Sequence, residues 1–469
     1  MCSTTGLDLI KDGIKNHRLN RVVVASCTPA THEPLFRRAC EEAGLNKYLF
    51  EMVNIREHCS WVHLNLPNDA TEKAKDLIRM GVAKANLLQP QKEPELKITP
   101  TALVIGGGIA GITAALTLTR QHFHVHLVEK EPELGGVLRQ LHKLHPGWRD
   151  ASGVLAEAVA AIKAAGSNLT LHLSTVIEAV SGFIGNFEVK LRQAAPEKEV
   201  QIQVGTIIVA TGADNLKPLG MYRYGENKNI ITQLELEQLL SNGKLKKPKR
   251  VVMIQCVGAR EKTGRTYCSR ICCMVALNNA LLLKKLYPDV EIDILFRDLQ
   301  TYGEHEESYT QARLNFINFI RYDQEKPPEV QLEPDGRLTI RVYDVYLDAN
   351  IEIKSDLVVL STPLIQHEEG MKLSPILKVP LGADGFFFEA HPKLRPVDFT
   401  SDGIYVCGTA HGPKDVAESV TQAYAAASRA AIPMALGTIK SDAVKASVQK
   451  DICVNCEACE VSCIFNAIE

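Results

Sequence analysis

Thiols and glycines carry the chemistry this chain can do. Its 13 cysteines are clustered: Cys2, Cys27, Cys40 and Cys59 at the head, Cys256, Cys268, Cys272 and Cys273 in the middle, an isolated Cys407, and Cys453, Cys456, Cys459 and Cys463 at the tail. The tail spacing, Cys-x2-Cys-x2-Cys-x3-Cys, is that of one half of a bacterial ferredoxin, which turns three sulfurs onto one iron–sulfur cluster. Zinc is the competing use of such thiolates. Ile464 stands where proline usually follows the last cysteine. That fourth cysteine ordinarily serves a second cluster, and no second motif comes before Glu469. The middle set places four thiols within 18 residues, enough for one four-iron cluster. Its adjacent pair, Cys272-Cys273, departs from ferredoxin spacing, so a tetrahedral zinc site and a redox disulfide stay open. Arg260, Arg265 and Arg270 either offset an anionic cluster or are surface charges. Cys407 reads as a buried apolar residue and Cys40 and Cys59 as packing thiols.

The glycines lie between the two outer cysteine sets. Ala102-Leu103-Val104-Ile105 runs into Gly106-Gly107-Gly108-Ile109-Ala110-Gly111, and an apolar helical pattern follows through Leu118. This is G-x-G-x-x-G between strand and helix, where glycines let the backbone approach a pyrophosphate at the helix's positive end. Glu129, 23 residues after Gly106, ends the next strand (His124–Val128), where a carboxylate takes ribose hydroxyls. Lys130 follows it. Gly135-Gly136 favours FAD over NAD, as in flavoproteins with two dinucleotide domains. Ile207-Ile208-Val209-Ala210-Thr211-Gly212 resembles their return strand, and Gly403 to Thr409 resembles their second flavin motif, with Gly408 in its turn. Thr409 stands where such enzymes usually have an aspartate, which weakens that contact. Lys414 precedes a helix expected at Ala417–Ala431 and either steadies negative charge on a reduced flavin or is a solvated loop cation. His58 and His305 read as structural, while His411 lies in the flavin-side motif.

The elements that must hold these residues come from the rest of the 469-residue chain, 45% hydrophobic and 23% charged. Lys and Arg (53) balance Asp and Glu (55), which argues against nucleic acid and anionic membrane surfaces as partners. No apolar run approaches the ~20 residues that span a bilayer. The start, MCSTTGLDLIKDG, lacks a signal-peptide layout, so a cytoplasmic location is expected. The fold class expected is α/β, with two Rossmann-like dinucleotide-binding units, a small N-terminal α/β domain and a C-terminal ferredoxin-like segment. The layout is 1–90 for the N-terminal domain with a partial cluster site, 91–100 for a linker, 101–249 for the first part of an FAD domain, 250–363 for a degenerate NAD(P)H-like domain with the cysteine site, 364–437 for the rest of the FAD domain, and 438–469 for the tail. In the first domain a strand is expected at Arg21–Ala25 and helices at His32–Ala43 and Glu72–Leu88. Ile351–Pro363 repeats the layout of Val200–Gly212, the mark of an internal duplication. Val251–Ile254 leads into Gln255-Cys256-Val257-Gly258-Ala259-Arg260, where one glycine remains of a nucleotide loop.

Three longer stretches carry a resemblance: Asn54-Ile55-Arg56-Glu57-His58-Cys59-Ser60-Trp61, Tyr267-Cys268-Ser269-Arg270-Ile271-Cys272-Cys273, and Gly408-Thr409-Ala410-His411-Gly412-Pro413-Lys414-Asp415. On these the chain resembles the A subunit of heterodisulfide reductase over essentially its whole length. The resemblance implies a thioredoxin-reductase-like core with FAD, a 4Fe-4S cluster on Cys256, Cys268, Cys272 and Cys273 in place of NAD(P)H, and a second cluster on the tail cysteines. It implies an electron-transfer subunit, with possible flavin-based bifurcation, working with sister subunits and an electron-donating hydrogenase or dehydrogenase module, as a homodimer within the complex. The alternative is a stand-alone NAD(P)H-dependent flavoprotein oxidoreductase, against which the eroded loop at 255–260 speaks. No acid–base or nucleophile constellation stands out, so no catalytic residue is assigned. The family's upstream cysteine-rich segment and second tail motif are missing, and the chain is expected to be trimmed at both ends. Only through this resemblance are Cys2 and Cys27 candidates for a further cluster at the head. Leu138–Val200 contains no cysteine, so the inserted ferredoxin module of some archaeal members is not expected here.

Overall fold

Two apolar runs, Ala102–Ile105 and Val251–Ile254, have no polar face, and each becomes the central strand of a parallel sheet covered on both sides. The computed structural model describes residues 2–144, 147–194, 197–334, 336–444 and 448–463. The substitution at Ile464 lies outside them. The chain divides into two compact units, one of the residues up to 95 with 440–455, the other of 96–439 with the residues from 456.

In the first unit α1 (Thr4–His17), β1 (Val22–Ser26), α2 (Pro29–Glu42), β2 (Phe50–Asn54) and α3 (Pro67–Leu87) follow in order. β1 and β2 pair in parallel, Val22 opposite Phe50 and Ser26 opposite Asn54. The strand and both helices fall where the sequence puts them. Each helix starts earlier, because Pro29 and Pro67 sit in first turns where a missing N–H does no harm. Ile14, Val24, Phe36, Phe50 and Met52 make the core, with Cys40 fully buried beside them. Burial pushes the Cys40 thiol up to about 11, so it packs as a small apolar side chain. Cys59 is also buried, its thiol 3.0 Å from Ala70 O. The stretch read as a linker is tied down at its start, by Asn46 Nδ2 donating to Gln91 O and Tyr48 Oη donating to Glu93, and residues 95–97 are extended.

The second unit holds one topology twice. β3 (Thr101–Ile105), α4 (Ile109–Thr119), β4 (His124–Val128), α5 (Ala151–Ala164) and β5 (Leu169–His172) wind outward. β6 (Thr175–Phe183), β7 (Asn186–Ala194) and β8 (Glu197–Val204) form an antiparallel sheet, β9 (Thr206–Val209) returns to the far side of β3, and β10 (Ala213–Asn215) follows.

The second copy opens with β11 (Ile230–Thr232) and α6 (Gln233–Ser241), then winds through β12 (Arg250–Ile254), α7 (Cys272–Leu286), β13 (Glu291–Phe296), α8 (His305–Leu314) and β14 (Asn318–Arg321). An antiparallel sheet of β15 (Glu329–Leu332), β16 (Leu338–Asp344) and β17 (Ala349–Ser355) leads to the return strand β18 (Leu357–Leu360), then β19 (Leu364–Gln366) and α9 (Glu368–Leu377). The chain re-enters the first sheet through β20 (Ile404–Val406) and α10 (Val416–Leu436), and α11 (Ala458–Ser462) lies in the tail.

The parallel sheets run β20-β9-β3-β4-β5 and β11-β18-β12-β13-β14. The likeness of 200–212 to 351–363 is therefore structural: a last antiparallel strand, one turn residue (Gly205 or Asp356), and the return strand. In both sheets the winding reverses beside the first strand, which opens a crevice beyond the C-terminal ends of β3 and β9, and of β12 and β18. Fully buried Leu103, Val104, Ile207, Ile208, Val252 and Ile254 hold these strands, each contributing about 1.5–3 kcal/mol. Ala423, Ala426, Ala427 and Ala430 of α10 and Ala114 and Ala115 of α4 are buried without any exposure, which lets the two helices pack closely.

Candidate functional site

The first crevice is shaped by glycine. Gly106 has φ +112°, and a Cβ there would strike Ala210 O; a Cβ on Gly111 would strike Gly106 O, so the first turn of α4 lies hard against β3. Gly108 caps α4 without a side chain, and Ile109 and Ala110 begin the helix, leaving backbone N–H groups at its positive end. Glu129 is buried at the end of β4, where its carboxylate accepts the Gly107 N–H at 2.6 Å and the Glu131 N–H at 2.8 Å. Two oxygens with about four acceptor positions still leave capacity for a ribose hydroxyl. Gly135 bridges to Gly108, and Gly136 (φ +52°) lies against the Gly108 Cα.

Three distant stretches converge here. The Ala210 N–H donates to Ile105 O at 2.8 Å, placing Thr211 and Gly212 beside the glycine turn. A Cβ on Gly212 would stand 3.8 Å from Thr409 Oγ1, and one on Gly408 2.7 Å from Ala110 Cβ. The Thr211 hydroxyl is buried and has no hydrogen-bond partner among the described residues. Gly106, Glu129, Lys130 and Thr211 line a cavity of about 600 Å³. A bare-backbone cradle and an orphaned hydroxyl fit a dinucleotide cofactor.

Lys414 Nζ donates to Gly408 O at 3.0 Å and to Gly412 O at 2.9 Å, and burial lowers its pKa to about 8. It is not a solvated loop cation. α10 starts next to it with a reciprocal cap: Asp415 Oδ1 accepts the Glu418 N–H at 2.7 Å, and Glu418 Oε2 accepts the Asp415 N–H at 3.1 Å. His411 has both ring nitrogens engaged, 2.8 Å from Glu389 Oε2 and 2.7 Å from Gln422 Nε2. It braces the loop. Cys407 is fully buried, its thiol pushed up to about 12 by burial, and it packs as the sequence suggests. His305 is buried as well, 3.8 Å from Asp415.

Thiols fill the second crevice. Cys256 (φ +60°) follows β12, Cys272 and Cys273 open α7, and the Cys272 thiol lies 3.5 Å from Thr362 O just past β18. Together with Cys268 they line one small, tight cleft that is partly open to solvent. Burial drives the Cys272 thiol up and the Cys273 thiol up to about 11, and the neighbouring thiols push the same way. The positive end of α7 and Arg260 oppose that trend and favour thiolates. No three His, Cys, Asp or Glu side chains among the described residues are placed to hold a single metal ion. Cys453, Cys456 and Cys459 are exposed and Cys463 is half-buried. At the head, Cys2 is exposed and Cys27 half-buried, and both thiols act electrostatically on Arg56.

The cysteine loop is fastened to the first crevice. Ser269 Oγ accepts the Leu364 N–H and Tyr267 Oη donates to Leu364 O, both at 2.8 Å. Leu364 begins β19, which pairs antiparallel with β10 directly after Gly212. Arg270 reaches Glu418 at the start of α10, 2.6 Å away.

Several residues carry no sequence signal. Thr175, at the start of β6, lines the first cavity, and so do His367 and Lys372, which the β10–β19 pairing brings to it. Arg297 is buried and donates to Ala259 O at 2.6 Å and Arg260 O at 3.1 Å, holding the loop after Cys256. Its one clue is position, a lone arginine just past the buried strand β13.

Two Rossmann-like units in one body, one with a glycine cradle and one with its crevice given over to thiols, define an oxidoreductase of the two-dinucleotide-domain class. The family model for pyridine nucleotide-disulphide oxidoreductase matches residues 100–255. The A subunit of the H(2):CoB-CoM heterodisulfide,ferredoxin reductase of Methanothermobacter marburgensis is 39% identical over 557 residues, covering 100% of this chain and 84% of the relative. The iron-sulfur A subunit of the CoB–CoM heterodisulfide reductase of Methanocaldococcus jannaschii is 38% identical over 561 residues, with the same coverage of 100% and 84%. Among solved structures, thioredoxin reductase of Lactococcus lactis is similar at 17% identity and TM-score 0.49, covering 72% of this chain and 99% of that one. The chain belongs to the family of heterodisulfide reductase A subunits. No helix among the described residues is long and apolar enough to cross a membrane.

Proposed function

We propose that this chain is an FAD- and iron–sulfur-dependent electron-transfer subunit of a heterodisulfide-reductase-like complex. The observation that carries the reading is the gathering of Cys256, Cys268, Cys272 and Cys273 around one cavity, at the crevice where a reductase of this fold would take a nicotinamide nucleotide. Bound FAD exchanges electron pairs for single electrons, and 4Fe-4S clusters carry them singly. The glycine turn 106–111 and Gly135-Gly136 would admit the pyrophosphate, Glu129 and Lys130 the adenosine ribose, Ala210, Thr211 and Gly212 the middle of the cofactor. Gly408, Thr409 and Lys414 would stand at its ring end, Lys414 supplying positive charge. The four middle cysteines hold the relay cluster, and Cys453, Cys456, Cys459 and Cys463 hold a cluster that exchanges electrons with another protein.

On this reading the domain layout drawn from the sequence is also functional, an FAD domain split around a cluster-bearing domain. The Methanothermobacter relative is named for H2, the CoB–CoM heterodisulfide and ferredoxin together. On that ground we extend the proposal to sister subunits, a hydrogenase-type donor, and division of electron pairs between two acceptors.

Anaerobic reconstitution of the chain tests this. The expected result is one flavin and about four iron with matching sulfide at the middle site, lost on Cys272→Ser, plus further iron lost on Cys456→Ser. Zinc without iron, or no flavin, sinks it. So does rapid bleaching of the flavin by NADH with the chain alone.

A further inference from the structure

Between the two crevices one side chain makes an unusual number of contacts. Arg270 lies between Cys268 and Cys272, lines the thiol cavity, and has φ +59°, a left-handed backbone that residues with side chains avoid. Its N–H donates to Cys268 Sγ at 3.3 Å. Its guanidinium leaves the loop and spans to the other crevice: Nη2 lies 2.6 Å from Glu418 Oε1 and 3.0 Å from Tyr302 Oη, and Nη1 3.5 Å from Pro413 O. The guanidinium carbon also sits 5.4 Å from the centre of the Tyr302 ring.

Glu418 is shared. One oxygen takes Arg270, while the other closes the cap of α10 on Asp415. The residue before that cap is Lys414, whose Nζ is fixed to Gly408 O. A continuous set of bonds therefore runs from Cys268 through Arg270, Glu418, Asp415 and Lys414 to Gly408. A half-exposed ion pair alone would contribute little. Here the fork, the ring contact and the shared cap act on one group, and only arginine has the planar geometry for all three.

We propose that Arg270 is a positioning residue that locks the cysteine loop to the start of α10, so that electron exchange between the cluster and the flavin depends on the Arg270–Glu418 contact. This rests on the function proposed above. Its structural half, mutual ordering of two loops, does not need the cofactors.

The test uses the full chain in two states. In the apoprotein, hydrogen–deuterium exchange is compared for Arg270→Met and Glu418→Gln. Arg270→Met is expected to speed exchange in residues 412–418, and Glu418→Gln to speed it in 268–272. Failure of either cross-effect overturns the lock, whether or not cofactors bind. In the reconstituted protein, electrons delivered to the flavin are followed onto the cluster by stopped-flow absorbance, with iron, sulfide and flavin content measured alongside. With contents unchanged, Glu418→Gln and Arg270→Met should each slow the transfer at least about tenfold, the scale of effect that ångström-level misplacement produces. Arg270→Lys should not restore the rate, because an ammonium keeps the charge but loses the second guanidinium nitrogen that reaches Pro413 O and the flat face set against the Tyr302 ring. An unchanged rate in Glu418→Gln, or full rescue by lysine, refutes the role. If the wild-type chain takes up neither iron nor flavin, the proposed function fails while the exchange result still decides the lock.

Discussion

Lys414 is a half-buried cation beside the start of α10, with two carbonyl oxygens and no carboxylate as its hydrogen-bond acceptors. Burial takes its pKa from the ordinary 10.5 to about 8. A depressed lysine pKa means the unfolded chain binds the proton more tightly than the native one. The destabilisation is fully present below pH 8, is relieved as pH rises from about 8, and is gone above the unfolded value of 10.5. That lowering of the pKa corresponds to about 3 kcal/mol. Lys414→Met removes this titration. The stability of the variant minus that of the wild type should therefore fall by about 3 kcal/mol between pH 7 and pH 10.5, whatever constant offset the lost hydrogen bonds introduce. Urea unfolding of both apoproteins across that range measures it, followed on the α10 amides by hydrogen exchange, so that unfolding of the other unit does not intrude. Taking the difference cancels the titrating groups that do not interact with Lys414, which leaves Glu389, Cys407, His411 and Glu418 as its coupled neighbours. A flat difference would mean that Lys414 is solvated, and the electrostatic argument would fall. The same strain makes Lys414 a ready partner for an anion. If a reduced flavin ring is that anion, Lys414→Met should lower the flavin midpoint potential by at most about 60 mV for a two-electron couple. A potential unmoved by the change would separate Lys414 from the cofactor.

Gly106→Ala forces a Cβ into Ala210 O at φ +112° and should destabilise the second unit by about 2–5 kcal/mol and abolish flavin binding, seen by thermal melting and flavin absorbance. Thr211→Val removes an unpartnered buried hydroxyl, so the apoprotein should be no less stable while flavin affinity drops several-fold, measured by titration. Burial raises the pKa of Glu237 from 4.5 to about 7, and its Oε2 accepts the His142 N–H at 3.0 Å. For a raised acid the penalty grows as pH climbs from 4.5 through 7, so Glu237→Gln should gain up to about 3 kcal/mol on the wild type at pH 8 and nothing at pH 4, by urea unfolding. Cys407→Ser should leave iron and sulfide content unchanged where Cys272→Ser empties the middle site, by metal analysis.

The glycine turn was legible because its requirement is local: Gly106 and Gly111 are positions where a Cβ meets backbone within the same strand–helix unit. The duplication was legible in outline because Val200–Gly212 and Ile351–Pro363 occupy the same step of each copy. His367 and Lys372 were not, since α9 reaches the first cavity only through a pairing between segments about 150 residues apart. Arg270 was visible as a cation near thiols, but its contact with Glu418 spans 148 residues and depends on a left-handed backbone that no local pattern announces. His411, which the sequence places in the flavin-side motif, has its ring nitrogens engaged by Glu389 and Gln422. Spacing shows that a histidine is nearby; it does not show which way its ring is turned.

The second crevice explains why thiols and a nucleotide exclude each other there. A pyrophosphate needs a glycine whose bare Cα faces the ligand at the helix N-terminus. Gly258, the one glycine in residues 255–260, points the wrong way for this: a Cβ on it would meet Leu216 Cδ2 at 2.6 Å and Met221 Sδ at 3.5 Å, and its carbonyl accepts Arg265 Nε at 2.8 Å. Its freedom is used for packing. The features that would have drawn phosphate, the switch point and the positive end of α7, remain in place, and Cys272 and Cys273 occupy that helix end. The same anion attraction that a dinucleotide would use in the first copy is available to thiolates in the other. The two crevices stay joined through β10, β19 and Arg270. On the proposed function, cysteines in place of the nucleotide loop would set the cluster in the crevice where a nicotinamide would otherwise stand, a site suited to single electrons.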